Sequence, residues 1–464
     1  MKGMIIDMDK QETFEKAVLK IALPVTIQSL LQSSFSVVDQ VMIGQLGSNS
    51  IAGIGLGGKF ASLYLVVLAA IASAAGIMIS QYMGRKDEKS ISKSFYINML
   101  LSIGLAAVFM ILCIIFPEII MSAYTKDAIT KTLAVKYIRI LAISFIPMAI
   151  SSILTTMLRC MEAAALPLCA SIFALVLNTG LNYLLIFGKW IFPEMGVEGA
   201  ALASVAAQII SCVIILLFFI IYNNKHEIKL NITHYFKKIS TEQKTADYGQ
   251  YGKQFLKILY PLLICEFLWS LGENVYTAIY GNIGTEACAA MTMTIPILTI
   301  VIGALSGLSQ ASGILIGKSL GAKKYEQAYV EANKLMKYGL LASIILSLML
   351  AATASLYVKI YNVEPVVQEI TKRLLMVIAI ISPVKVLNMI LGGGIIRSGG
   401  KTKYTMWIDI IGTWGLGVPL GLLAAFVWKL PIEYVYFILS MEECVRLGIS
   451  LIIFKKKTWM ESIR

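Results

Sequence analysis

Charge is scarce in this sequence. Asp, Glu, Lys and Arg make up 14% of its 464 residues, where a soluble domain carries about a quarter. With 58% hydrophobic residues and a mean hydropathy of +0.78, most of the chain cannot face water. Histidine is scarcer still. His226 and His234 both fall in one polar segment, which excludes a histidine-based site inside the apolar runs. The seven cysteines (Cys113, Cys160, Cys169, Cys212, Cys265, Cys288 and Cys444) are odd in number and form no CxxC. They read as small core residues rather than as a disulfide framework or a zinc site.

Other absences exclude whole classes of chemistry. There is no clustered-aspartate motif such as DDxxD, which an intramembrane prenyl or glycosyl transferase would use to hold metal and pyrophosphate, so no enzyme is expected. Gly313–Ser319 (GILIGKS) is one residue short of a phosphate-binding loop and ends an apolar helix instead of following a strand. With no nucleotide motif and no cofactor expected, the energy source points to an ion gradient. The N-terminal MKGMIIDMDKQETFEKAVLK lacks the apolar core of a cleaved leader, so the first span would serve as the membrane address. The net charge of +13 could suggest nucleic acid. Its placement argues otherwise, because the basic residues sit in short segments between apolar runs.

What the chain has is apolar length. A bilayer-spanning helix needs about 20 mostly apolar residues. Such runs fall at 19–44, 52–80, 94–116, 134–157, 166–188, 197–221, 255–281, 288–316, 335–358, 374–396, 405–427 and 431–454. The polar stretch 222–253 splits them six and six. The expected fold is therefore all-α and integral to the membrane, with twelve transmembrane helices in two lobes. The lobes are residues 13–221 and 254–455, joined by a cytoplasmic linker at 222–253. Most of the Lys and Arg residues lie at the termini and after the even-numbered spans, so that side, with both termini, is expected in the cytoplasm.

The halves repeat. Pro24 and Pro261, Gly44 and Gly281, Gly47 and Gly284, and Gly84 and Gly321 are each 237 residues apart. Pro147 pairs with Pro383 and Arg159 with Arg397 at nearly the same offset. An even number of spans per half makes both halves enter from one side, so the pseudo-twofold axis is expected along the membrane normal, as in parallel transporter repeats.

Charges inside spans are costly and are functional candidates by default. Asp39, Glu266, Glu273, Lys385 and Asp409 stand out. Asn178 and Asn182 on span 5, and Ser204 and Gln208 on span 6, are each four apart and so share a helix face. With Asp39 they offer oxygen ligands suited to a proton or to a hard cation such as sodium. A network that only packs helices is the structural alternative. Lys385 needs an acidic partner, and Glu266 is the first choice, as a fixed pair or as part of coupling. Trp269, Tyr276, Tyr280, Met291, Met293, Glu273 and Gln32 are candidates to line a substrate cavity, although aromatic and Met residues in spans also serve as packing.

These residues resemble the multidrug and toxic compound extrusion (MATE) family over nearly the whole chain, from Thr13 to Phe454. The resemblance is carried by Pro24 with Asp39 and GQLG, by MGRKD, by NTGLNYLLIFG with GAALAS, by PLLICEFLW with GNIGTEACAA, and by GGGIIRSGG followed by Asp409 and VPLG. It implies a two-lobed V with a central cavity, exporting amphipathic, often cationic drugs or toxic organic cations from the cell membrane by alternating access, in exchange for protons or sodium. The family's N-lobe cation site maps onto Asp39, Asn178, Asn182 and Ser204, with sodium at the first three if sodium is the ion. Many relatives have a carboxylate at Asn182 and Thr at Ser204, and Lys401 stands where the family has Asp. A monomer in the bilayer is expected, with no nucleic acid. A flippase for a lipid-linked precursor, from the same superfamily, is the competing reading.

Overall fold

The computed structural model describes residues 2–225, 245–361 and 363–463. His226, His234 and most of the 222–253 segment lie outside the described residues. Twelve long helices carry the described fold: α1 (Lys2–Gly44), α2 (Ser48–Gly84), α3 (Glu88–Ile115), α4 (Ala128–Cys160), α5 (Ala165–Ile186), α6 (Gly196–Lys225), α7 (Thr245–Ile283), α8 (Thr285–Gly321), α9 (Tyr325–Val358), α10 (Pro365–Ile396), α11 (Thr402–Val427) and α12 (Ile432–Lys455). Helix is the economical answer for such a chain, because within lipid every backbone N–H and C=O must be satisfied inside its own segment. The first eleven, α1 to α11, contain stretches long and apolar enough to cross a membrane; α12 falls short because Glu433, Glu442, Glu443 and Arg446 interrupt it.

The ends of the helices are written locally. Asp87 caps α3 by accepting from the Ser90 N–H (3.1 Å), and Asp127 caps α4 by accepting from the Thr130 N–H (2.8 Å). Pro365 sits in the first turn of α10, where its missing donor costs nothing. The α1–α2 and α7–α8 turns use Gly47 (φ +87°) and Gly284 (φ +156°), the same position in each repeat.

The chain packs as two compact units. One comprises Ile27–Ile79 and Lys86–Phe255. Its core centres on Tyr64, whose hydroxyl donates to the Phe145 carbonyl (2.7 Å) while the two rings stack at 4.4 Å, with Leu68, Ala106, Cys113 and Met121 around them. The other comprises Leu256–Arg464 together with two pieces from the first half of the chain, Met1–Thr26 and Ser80–Arg85. The division thus falls inside α1, just after Pro24.

The close approaches that gather those pieces depend on glycine. A Cβ at Gly84 would overlap the Lys318 carbonyl, and one at Gly321 would overlap the Gln81 carbonyl, so the two repeat-related glycines admit α2 and α8 to backbone contact. Gly307 does the same against Ala22, where the Thr26 hydroxyl donates to the Ala304 carbonyl (3.0 Å). Gln81 then ties Ser80–Arg85 to the rest of its unit, donating to the Ser398 carbonyl (2.6 Å) and accepting from the Ile463 N–H (2.6 Å).

α10 and α11 depart from regular α geometry. Met389–Ile396, Ile410–Gly417 and Leu423–Val427 are π-helical, a wider winding that frequently marks functional positions. Substituting Leu at Gly321 forces α2 and α8 apart and is expected to cost about 1–3 kcal/mol, read as a lowered unfolding temperature in detergent. Leu at Gly281, which has open space around its Cα, should shift it far less.

Candidate functional site

In the unit built from Ile27–Ile79 and Lys86–Phe255, three helices converge on Asp39. Asp39 lies in the last turns of α1, Asn178 and Asn182 lie one turn apart on α5, and Ser204 lies on α6. Asn182 Nδ2 donates to Asp39 Oδ1 (2.9 Å). The Asn178 amide fits best with its nitrogen donating to Asp39 Oδ2 (3.1 Å) and its oxygen accepting from the Ser204 N–H (3.3 Å). Both carboxylate oxygens therefore receive amide donors, and Asp39 forms no ion pair among the described residues. Asn182 is buried, and its Oδ1 has no hydrogen-bond partner. A lone carboxylate beside an orphaned carbonyl oxygen is an arrangement that a cation would complete, since each uncompensated group is costly away from water. A cleft of about 530 Å³ between α1 and the end of α5 is lined by Val41, Met42, Tyr183, Phe187 and Lys189 among others, and by none of Asp39, Asn178, Asn182 and Ser204.

Deeper in the same unit, Arg159 donates to Gln28 Oε1 (2.9 Å), and Gln28 Nε2 donates to the Ser171 hydroxyl (2.6 Å). Neither Gln28 nor Ser171 stands out in the sequence.

The other unit carries a much heavier charge network, and it corrects one expectation. Glu266 does not pair with Lys385. Its Oε1 lies 3.3 Å from Arg397, and Lys385 instead faces Glu443 of α12 at 3.9 Å. The reason is geometric: Arg397, at the end of α10, reaches Glu266 and also donates to the Cys265 sulfur (3.2 Å), whereas Lys385 lies three turns earlier on the same helix, opposite α12. Asp409 lies 3.7 Å from Arg446 and contacts the Cys265 thiol; Arg446 also donates to the Thr413 hydroxyl. Asn388 Nδ2 donates to Glu443 Oε2 (2.8 Å), and the Tyr276 hydroxyl donates to Glu442 Oε2 (2.6 Å). The glycines of the π-helical stretch make room: a Cβ at Gly412 would strike Arg446, and one at Gly417 would strike Tyr276 and Glu442.

The candidate cavity residues separate. Tyr276 and Met293 are buried: the Tyr276 hydroxyl is held by Glu442, and Met293 packs in an apolar core with Leu374 and Val435. Tyr280 is buried in that core and Met291 packs against it. Trp269, Glu273 and Gln32 are exposed. Lys401 pairs with Glu461 at 2.9 Å near the surface, so the departure at that loop position is met by the C-terminal tail. In the sequence the α12 charges fall in a span that reads as merely less apolar. The signal was present: Glu442 and Arg446 are four apart, on one helix face.

Two repeats of long apolar helices, each carrying buried polar groups within those helices, are the architecture of transporters built from internal repeats. The comparisons make this specific. The MatE family pattern matches residues 24–184 and 261–423, beginning at Pro24 and again at Pro261. The chain belongs to that family, the MATE transporters, and is a multi-pass membrane protein. It is 23% identical to the uncharacterized transporter YisQ of Bacillus subtilis over 86% of this chain and 85% of that one. It is 22% identical to the probable multidrug resistance protein NorM of Thermotoga maritima over 97% of this chain and 95% of that one. A crystal structure of MATE in the bent conformation superposes with a TM-score of 0.84 at 16% identity, covering 96% of both chains, and so shares the fold.

Double-mutant cycles should separate the pairs. Glu266 and Arg397 are expected to couple by about 0.5–3 kcal/mol in unfolding measurements, and Glu266 and Lys385 by less than about 0.5 kcal/mol.

Proposed function

We propose that this chain exports amphipathic, often cationic small molecules across the cell membrane in exchange for a proton or sodium ion. The observation that carries the reading is Asp39: a carboxylate on a membrane helix with two amide donors, no basic partner among the described residues, and the unpartnered Asn182 oxygen beside it. Intramembrane ionisable groups without a fixed counter-ion mark ion pathways.

In this scheme both termini are cytoplasmic and substrate enters from the cytoplasm or inner leaflet. A cation arriving from outside neutralises Asp39. α1 then shifts, with Pro24 and the segment around Gly44 as its bending points; a proline removes one backbone bond and lets a helix kink there. Substrate leaves outward and the cycle resets. The ion drives the change only if it binds one state more tightly than the other. Sodium would draw on Asp39, Asn178 and Asn182 together, with Ser204 holding Asn178; a proton would need the Asp39 carboxylate alone. The protein works as a monomer in this reading.

The test uses purified protein in liposomes loaded with ethidium, with proton and sodium gradients imposed separately. Dye movement under one gradient, lost in Asp39→Asn while the unfolding temperature holds, is the expected result and names the ion. Normal coupled transport by Asp39→Asn would overturn the scheme. No movement under either gradient would shift the reading to a flippase for a lipid-linked precursor.

A further inference from the structure

The repeat extends to the sites themselves. Trp190 and Trp428, and Pro193 and Pro431, are each 238 residues apart, which fixes the register of α5–α6 against α11–α12. In that register Ser204 corresponds to Glu442 and Gln208 to Arg446, while Asp39 corresponds to Tyr276 at the 237 offset of α1 and α7. The same correspondence maps Arg159, Gln28 and Ser171 onto Arg397, Cys265 and Asp409, and both trios are in contact within their own units. The scaffold position that holds a carboxylate on α1 therefore holds a phenol on α7, and the carboxylate has moved across to α12.

That carboxylate is in excess. The cluster contains Glu266, Asp409, Glu442 and Glu443 against Arg397, Arg446 and Lys385. Three ion pairs consume three of the acids: Glu266 with Arg397, Asp409 with Arg446, and Glu443 with Lys385. Glu442, 6% exposed, is left with no ion pair among the described residues and with the Tyr276 hydroxyl on Oε2. The groups facing it are Tyr276 and Tyr280 on α7, with Glu273 on the same helix, Lys385 on α10, and Glu443 and Arg446 on its own helix. Nearby, the buried Asn388 Oδ1 is an acceptor without a donor.

We infer that Glu442 is a second proton-binding carboxylate of the transport cycle, independent of Asp39 and specific to the C-terminal half. A proton from water adds to Oε1, leaving Oε2 to accept from Tyr276, and the cluster becomes neutral; its return to water restores one negative charge. The neighbouring guanidinium and ammonium groups oppose any added positive charge; a metal ion would also need a shell of oxygen ligands among them, whereas a proton needs only a covalent O–H bond to one carboxylate oxygen. The inference deepens the proposed exchange by adding a coupling group, and it rests on that reading only for its role in the cycle, not for the titration.

Infrared difference spectra of the purified protein, recorded on titration from acid to alkaline pH, read protonated carboxyl groups directly through their C=O stretch. A band lost in Glu442→Gln, shifted in Tyr276→Phe and retained in Asp39→Asn and Glu443→Gln is the expected result. A spectrum that Glu442→Gln leaves unchanged, in a folded variant, overturns the inference. If Glu442→Gln does not fold, Tyr276→Phe decides: a band that does not move also overturns it. In dye-loaded liposomes, the proton-to-dye ratio from the reversal potential should fall by one in Glu442→Gln, and an unchanged ratio removes Glu442 from the cycle. Should the wild type move no dye under any gradient, the export reading fails, while the infrared band still decides whether Glu442 binds a proton.

Discussion

A carboxylate inside a bilayer must be neutralised, and much of this structure is arranged around that requirement. The two halves meet it differently. Asp39 has amide donors on both oxygens but no counter-charge among the described residues, and in the proposed cycle a cation from solution neutralises it. Glu266, Asp409 and Glu443 are each answered by a cation from another part of the sequence. A fixed pair holds helices together; in the proposed cycle the unanswered carboxylate exchanges its partner with solution. Buried pairs contribute little net stability because of desolvation, but breaking one is expensive, so they specify which helices adjoin more than they strengthen the unit.

The duplication shows how one scaffold came to hold both solutions. Repeat-related glycines still make the same close approaches, with Gly84 against α8 and Gly321 against α2. Repeat-related arginines still reach back to the start of their own repeat, Arg159 to Gln28 and Arg397 to Cys265 and Glu266. What changed are the partners. Gln28 and Ser171 are neutral, whereas Glu266 next to Cys265 in sequence and Asp409, the repeat counterpart of Ser171, are acidic. Small residues and π-helical turns on α11 opened the space that the larger charged groups fill: Gly412 accommodates Arg446, and Gly417 accommodates Tyr276 and Glu442.

Much of this was legible in the sequence. Twelve spans, the duplication and the shared face of Asn178 and Asn182 follow from apolar run length, constant offsets and fourfold spacing, all local or periodic signals; the grouping of Asp39 and Ser204 with them comes from the family resemblance. The pairing of Glu266 was not legible, because choosing among Arg397, Lys385 and Arg446 needs the rotation of α10 about its axis, which its π-helical turn alters. Nor was the fate of Tyr276: an aromatic residue on a span reads alike whether it lines a cavity or donates to a buried glutamate. The grouping of Ser80–Arg85 with the second half depends on backbone contact at two glycines, which no hydropathy pattern records.

The charges of α12 bear on how the protein is made. A segment carrying Glu433, Glu442, Glu443 and Arg446 gains too little from lipid to partition into a bilayer by itself. Its acids and its arginine find their partners on α7, α10 and α11, all of which are synthesised before it. The last helix can thus enter the membrane against a surface already waiting for it, and the order of elements along the chain supplies the helper that its composition lacks.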